Sequence, residues 1–458
     1  MKDGVPKAGT ETGFELRQEA GGVPPHPPLK RPRLVSATIP SVTTPPDPGA
    51  ANIEASTHRV EAELLLLCAR MTVNSQCRAR IRSLAQQGPD WDYLVRTAHQ
   101  HRVLPLLCRN LEHVAQGTIP DATMRRLRSG FHATARRNLC LTRELLRLID
   151  LLRDHDIPCI PYKGPALAAR IYGDLSLRQF ADLDIIVPAD DVTSVTRLLF
   201  SHGYGSGTKK NTEKDLALRN HDFDFDLEVH WGVTTEADPI QVPTQLIWRD
   251  LCALSIAGTS VLSPSSEDLL LLQCIHGAKH GWDRLAWLCD VAEIIRSQPH
   301  LNWNRAIEEA TVLGGRRILL LGVTLARELL GAEPPPEIAR TMRDEAALRT
   351  LCDQVKAWLF SGRPIPLGER EPFFITLRER PADRLRITFK QVKGTLALTA
   401  RDKESFPVPD FLTWVLYPLR VIRLGREYGL APFARFLGGI IPWRTTKLPS
   451  NPTHNVQD

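Results

Sequence analysis

Long apolar runs are missing from this chain. The longest, Leu64–Ala69 and Ile318–Val323, are six residues each, against the ~18–20 that a membrane-spanning helix needs. The opening MKDGVPKAGT has no apolar stretch, which speaks against a secretory signal. Paired C-x-x-C cysteines are missing too. The nine cysteines stand at 68, 77, 108, 140, 159, 252, 274, 289 and 352, an odd number, mostly inside apolar helical stretches such as Leu67-Cys68-Ala69. Free buried thiols in a reducing compartment account for them better than a disulfide framework. The expectation is a soluble, cytoplasmic protein.

A strong charge of one sign is also lacking. Fifty-eight Lys+Arg against 52 Asp+Glu leave +6 over 458 residues. That excess is too dilute for the concentrated cationic surface that long nucleic acid demands. What is present is globular: 43% hydrophobic and 24% charged residues exclude wholesale disorder and fibrous rods. The length implies two or three units at about 150 residues each.

Residues 1–56 hold ten of the 35 prolines and one aromatic residue, Phe14. They bury too little apolar surface to offset ordering entropy, so a disordered tail is expected, with Lys30-Arg31-Pro32-Arg33 read as a solvated charge run. From 57 to 155 the apolar spacing is helical, over Glu61–Met71, Trp91–His101 and Met124–Arg153. Between 156 and 262 the period changes. Strands are expected at Ile157–Tyr162, Asp182–Val187 and Phe223–Trp231, with helices at Ala166–Tyr172 and about Asp191–His202, and a turn at Gly203-Tyr204-Gly205. This is a small α/β core, and the overall class is α+β. From 263 to 445 helical spacing returns, first over Asp268–His280, Leu285–Arg296, Trp303–Leu313 and Arg317–Gly331. The apolar, Arg-punctuated Trp414–Trp443 is read as packing on this bundle, and 446–458 as a flexible end.

The chemistry-bearing pattern is acidic residues at period two. Alternate strand residues share a face, so Asp182 and Asp184 point together. On the later strand Asp222, Asp224, Asp226, Glu228 and His230 share one face, while Phe223, Phe225, Leu227, Val229 and Trp231 share the other. Two carboxylate-bearing strands side by side are costly unless cations neutralise them. Hard oxygen donors select Mg²⁺ or Mn²⁺ over zinc; the alternative is a half-solvated sheet with an acidic outer face. Lys163-Gly164-Pro165 precedes a helix whose start at Ala166 offers N–H groups to a phosphate, with Lys163 and Arg178 as cationic contacts.

Tyr162-Lys163-Gly164-Pro165-Ala166-Leu167, Tyr172-Gly173-Asp174, Arg178, Asp182-Leu183-Asp184-Ile185-Ile186-Val187, Gly203-Tyr204 and Glu228-Val229-His230-Trp231 resemble the uncharacterised nucleotidyltransferase family of the polymerase-β-like superfamily. His276-Gly277-Ala278-Lys279-His280-Gly281-Trp282 and Trp287-Leu288-Cys289-Asp290 are similar to a second block of that family, and the likeness spans roughly 60–430. Where the superfamily usually has Gly-Ser or Gly-Gly, this chain has Lys163-Gly164.

The resemblance implies a small mixed sheet between helical regions. It also implies transfer of a nucleoside monophosphate, foremost AMP, from a nucleoside triphosphate to a hydroxyl acceptor with release of pyrophosphate. Asp182, Asp184 and Glu228 would be the catalytic and Mg²⁺- or Mn²⁺-binding carboxylates, with Asp226 standing in for Glu228 as the fallback. Lys163, Gly164 and Arg178 would meet the triphosphate. The acceptor is left open among a small molecule, a protein side chain and an RNA end, and so is the base. A catalytically inactive nucleotide-binding or regulatory module of the same fold is the alternative.

His276 and His280, at i and i+4, share a helix face. Zinc would need the third ligand that no spacing provides. They are read as a pocket rim together with His230 and Asp290, the last orienting one imidazole, or else as a helix–helix contact with buried tryptophan.

Overall fold

A computed structural model describes residues 58–207, 211–220, 225–235 and 238–396. The expected tails at 1–56 and 446–458, the stretch 414–443, and Asp222 and Asp224 lie outside the described residues.

Five helices come first: α1 (Arg59–Cys68), α2 (Ser75–Gln86), α3 (Trp91–Gln100), α4 (Leu104–Val114) and the 33-residue α5 (Asp121–Arg153). Side chains set the starts of two of them. Asn74 accepts from Cys77 N–H and Asp90 from Tyr93 N–H, each satisfying an amide that the first helical turn leaves unpaired. Along α5, Leu141, Leu145, Leu148 and Leu152 recur at helical spacing and are essentially fully buried, each worth about 1.5–3 kcal/mol relative to exposure.

The chain then builds β1 (Ile160–Pro161), α6 (Gly164–Leu167) prolonged by a wide turn over Ala168–Tyr172, β2 (Leu183–Ile186), α7 (Val192–Ser201), β3 (Tyr204–Ser206), β4 (Asp215–Asn220) and β5 (Phe225–His230). These five strands form one sheet in the order β1-β2-β5-β4-β3, parallel only between β2 and β5. The first strand is two residues rather than the expected six, because Pro158 and Pro161 lack donors for the ladder. Asp182 falls just before β2 instead of within it. The polar stretch after Ser206 yields β4, where Ala217 and Leu218 are buried among Asp215, Arg219 and Asn220.

After α8 (Thr244–Arg249), β6 (Leu251–Ile256) and β7 (Thr259–Pro264) make a separate hairpin. Its two turn residues, Ala257 and Gly258, both have positive φ, the backbone such a tight hairpin requires. Helices α9 (Ser266–Lys279), α10 (Leu285–Ser297), α11 (Trp303–Leu313), α12 (Arg316–Leu330), α13 (Pro336–Asp344), α14 (Ala346–Leu359), α15 (Leu367–Leu377) and α16 (Pro381–Leu396) follow. None of the described helices is long and apolar enough to cross a membrane.

The sheet separates two cores. Leu183, Ile185, Leu227 and Val229 face the rear of α5 and α7. Ile160, Tyr162 and Ile186 belong to a second core that unites α1–α4 with α9–α15. The two helical regions therefore share one core rather than forming separate globules. Backbone bonds join them as well: Ala286 N–H donates to His101 O at 3.1 Å.

Candidate active site

The parallel register sets Asp184 opposite Glu228 and Ile186 opposite His230. Because alternate residues share a face, Leu183, Ile185, Leu227 and Val229 are drawn into the rear core. Asp184, Glu228 and His230 are thereby sent to the other side, toward the helices. There they border a cavity of about 330 Å³. One ligand-type atom from each of these three residues lies within 4.8 Å of the other two, and among the described residues they are the one such cluster. Asp182 lines the same cavity from the segment before β2 without joining the cluster. Asp226 is further along β5, ion-paired with Arg219 at 3.2 Å. His230, expected at the rim, thus sits at the centre, where period two on β5 already placed it on the face of Glu228.

Cations of the protein neutralise this cluster. Lys163 Nζ donates to Asp184 Oδ1 at 3.3 Å, and His230 Nε2 donates to the same oxygen at 3.1 Å and lies 3.5 Å from Glu228 Oε2. Burial pushes the Asp184 carboxyl up, but Lys163 and the His230 hydrogen bond outweigh it and hold the group well below the carboxylate range. Burial likewise opposes charge on Lys163 and His230, and the facing carboxylates win, raising both above their ordinary values. The Asp184 and Glu228 carboxylates, joined by the His230 imidazole once its proton is displaced, would form a donor set that fits a divalent cation, the oxygens favouring Mg²⁺ or Mn²⁺.

Gly164 has φ +54°, and a Cβ there would meet only ordinary contacts. Glycine is therefore needed for its left-handed backbone rather than for room. The amide of Ala166, expected to be free for a phosphate, instead donates to Lys163 O at 3.2 Å.

Arg178 lines the cavity, with its guanidinium gripped from behind. Its Nε and Nη2 donate to the two oxygens of Asp290, each at 2.9 Å, and Tyr172 O–H donates to Asp290 Oδ1 at 2.9 Å. Asp290 is 0% exposed. It therefore orients an arginine and a tyrosine, not the histidine expected of it. Asn138 on α5 donates to the carbonyls of Leu175 and Arg178, fixing the loop that carries this arginine.

On the opposite wall His276, His280 and Trp287 pack together. His280 stacks on Trp287 with centroids 4.8 Å apart, and His276 meets both rings edge-on. Burial, helped by Lys163 and His280, holds His276 well below the usual imidazole pKa, so this wall is neutral. Trp282, in contrast, is fully buried and belongs to the core. A Cβ on Gly277 would come within 2.2 Å of its ring, so that glycine exists to admit the indole.

The cavity is also lined by Arg102, Lys279 and Arg284. Lys279 and Arg284 fall in or beside the second block. Arg102 carries no sequence signal; only its φ of +57° marks it.

A family model described as uncharacterised nucleotidyltransferase matches residues 87–331, more than half of the chain and all of the site just described. The chain belongs to this family. It is accordingly a transferase, and the match is narrower than the 60–430 expected from the motifs. No curated protein matches the chain. Among solved structures, the solution structure of the antibiotic-resistance factor ANT(2'')-Ia is similar to this nucleotidyltransferase at 13% identity. The likeness covers 48% of this chain and 96% of that one, with a TM-score of 0.26; it is too slight to assign a substrate.

Proposed function

We propose that this nucleotidyltransferase moves a nucleoside monophosphate, foremost AMP, from a nucleoside triphosphate to a hydroxyl acceptor in a Mg²⁺- or Mn²⁺-dependent reaction. The acceptor oxygen bonds to the α-phosphorus, and the bond from that phosphorus to the α,β-bridging oxygen breaks. Pyrophosphate leaves with the electron pair, and the hydroxyl proton passes to a carboxylate of the cavity wall. The observation that carries this reading is the register of Asp184 with Glu228 on neighbouring parallel strands, with His230 joining them at the cavity.

Asp184 and Glu228, with His230, would hold the cation, and Asp182 is the further carboxylate of the wall. When bound, the cation supplies charge compensation for the attacking and leaving oxygens. Lys163 and Arg178 bind the phosphates, the left-handed Gly164 lets the backbone pass close to them, and the neutral His280–Trp287 stack offers a planar surface to a base or an aromatic acceptor. The weak net charge disfavours long nucleic acid, leaving a small molecule, a protein side chain or an RNA end as acceptor. Nine free cysteines accord with a reducing, cytoplasmic setting.

A second reading, a nucleotide-binding or regulatory module without turnover, draws on one feature. Lys163 and His230 already satisfy Asp184 Oδ1 without any added cation.

The deciding experiment incubates the protein with α-labelled ATP, GTP, CTP or UTP, Mg²⁺ and cell extract. Label is expected on a discrete acceptor with one nucleotide preferred, and it is expected to vanish in Asp184→Ala and Glu228→Ala. Equal labelling by wild type and both variants would refute the catalytic assignment. Nucleotide binding without any labelling would favour the second reading.

A further inference from the structure

Arg102 stands out from the rest of the cavity lining. It occupies the turn between α3 and α4 with φ +57°, a conformation that costs free energy for a residue with a long side chain and persists only where its surroundings enforce it. Here they do. Arg102 N–H donates to His99 O at 3.1 Å and Val103 N–H to Ala98 O at 2.9 Å. His101 and Val103 on either side are buried. His101 Nδ1 accepts from Leu285 N–H at 3.2 Å, which clamps the turn to the start of α10. The clamp brings Arg102, from the first helical region, beside Arg284, from the second.

The half-buried guanidinium of Arg102 makes no side-chain hydrogen bond or ion pair among the described residues. Its charged neighbours are Arg284, Asp182, Arg178 and Asp283. Desolvation, reinforced by Arg284, draws its pKa down, a strain that an incoming anion would relieve. Pairing within the cavity indicates which anion. Lys163 and His230 ion-pair with Asp184, whereas Arg178 is paired with Asp290 and Arg284 with Asp283. Arg102, Arg178 and Arg284 thus line the same cavity as the carboxylate cluster without being paired to Asp184.

We infer that Arg102, with Arg178 and Arg284, forms a polyphosphate subsite that takes the β- and γ-phosphates of the nucleotide and retains pyrophosphate as it forms. This rests on the nucleotidyl-transfer reading, which places the α-phosphorus at Asp184 and Glu228. It makes both helical regions part of the site rather than braces for the sheet.

The test compares binding of ATP, pyrophosphate and AMP, each with Mg²⁺, to the full chain by calorimetry. Arg102→Gly is the main variant, because glycine keeps the left-handed turn without backbone cost. Arg102→Lys keeps the charge and loses the fork. Loss of a charge-assisted contact predicts that Arg102→Gly binds ATP and pyrophosphate about 10- to 100-fold more weakly and AMP unchanged, with Arg102→Lys in between. Unchanged ATP and pyrophosphate affinities in Arg102→Gly, or equal weakening of ATP and AMP, would overturn the assignment of Arg102 while leaving nucleotidyl transfer standing. A wild type that binds neither ATP nor pyrophosphate would overturn both.

Discussion

Replacing Asp290 with alanine tests whether its grip on Arg178 and Tyr172 is functional or only structural. The carboxylate is completely buried. It accepts two bonds from Arg178 and one from the Tyr172 hydroxyl, all at 2.9 Å. Its removal leaves a guanidinium whose side chain is only 12% exposed without its paired carboxylate, and a phenol without its acceptor. Breaking one side of such a buried pair costs about 3–5 kcal/mol, most of it the burden of the stranded arginine. The double variant Arg178→Met/Asp290→Leu removes both charges and should therefore recover much of the loss, by the same reasoning. Urea denaturation with an unchanged slope reads these differences. Nucleotide binding separates the roles: the double variant regains stability but not affinity for ATP, because Arg178 no longer reaches the phosphates. A cost for Asp290→Ala below about 1 kcal/mol, or a double variant as unstable as the single one, would show that the pair is not the buried, mutually dependent unit described.

Gly277→Ala should destabilise strongly, by about 3 kcal/mol or more, because the new Cβ would lie 2.2–2.5 Å from three ring carbons of Trp282. The indole cannot simply retreat, since Gly322 approaches it on another side with a notional Cβ at 3.0 Å. Coupling with Trp282→Leu in a double-mutant cycle checks this, and additive effects would refute it. Acid should weaken the fold through His101. Burial, with a smaller contribution from Arg284, outweighs a backbone hydrogen bond at Leu359 and lowers its pKa from 6.5 to about 4. The folded chain therefore binds fewer protons than the unfolded chain between these values. The stabilisation is complete above pH 6.5 and is lost as pH falls toward 4, by about 3 kcal/mol in all. His101→Gln should flatten the urea midpoint across that window relative to wild type, and parallel pH curves would refute the assignment.

Period-two patterning in the sequence is enough to put Glu228 and His230 on one face of β5 and Asp184 on the matching face of β2, because side-chain alternation is local. It cannot reveal that β2 and β5 pair in parallel across an intervening α7-β3-β4 excursion, and that pairing is what sets Asp184 opposite Glu228. Nor does alternation show where a strand begins, so Asp182 reads as the twin of Asp184 although β2 starts one residue later. Helical spacing finds α5 and α9–α12, whose apolar stripes repeat over many turns. It misses α2, where three arginines interrupt a stripe of only three buried residues, and the β6–β7 hairpin, whose Ala257-Gly258 turn lacks the Asn-Gly or Asp-Gly signature.

The partner of Asp290 was illegible for a different reason. The local sequence offers His276 and His280 ten or more residues away, whereas the group it meets is Arg178, 112 residues earlier. Buried charge is satisfied through space, so sequence proximity has no bearing on it. The same holds for Arg102, which becomes interesting only once the start of α10 closes over its turn. The carboxylates are legible because their spacing is strand geometry, and Lys163 and Arg178 because they stand close before the first of those strands, while Arg102 comes from a distant helical segment and becomes visible only in the fold.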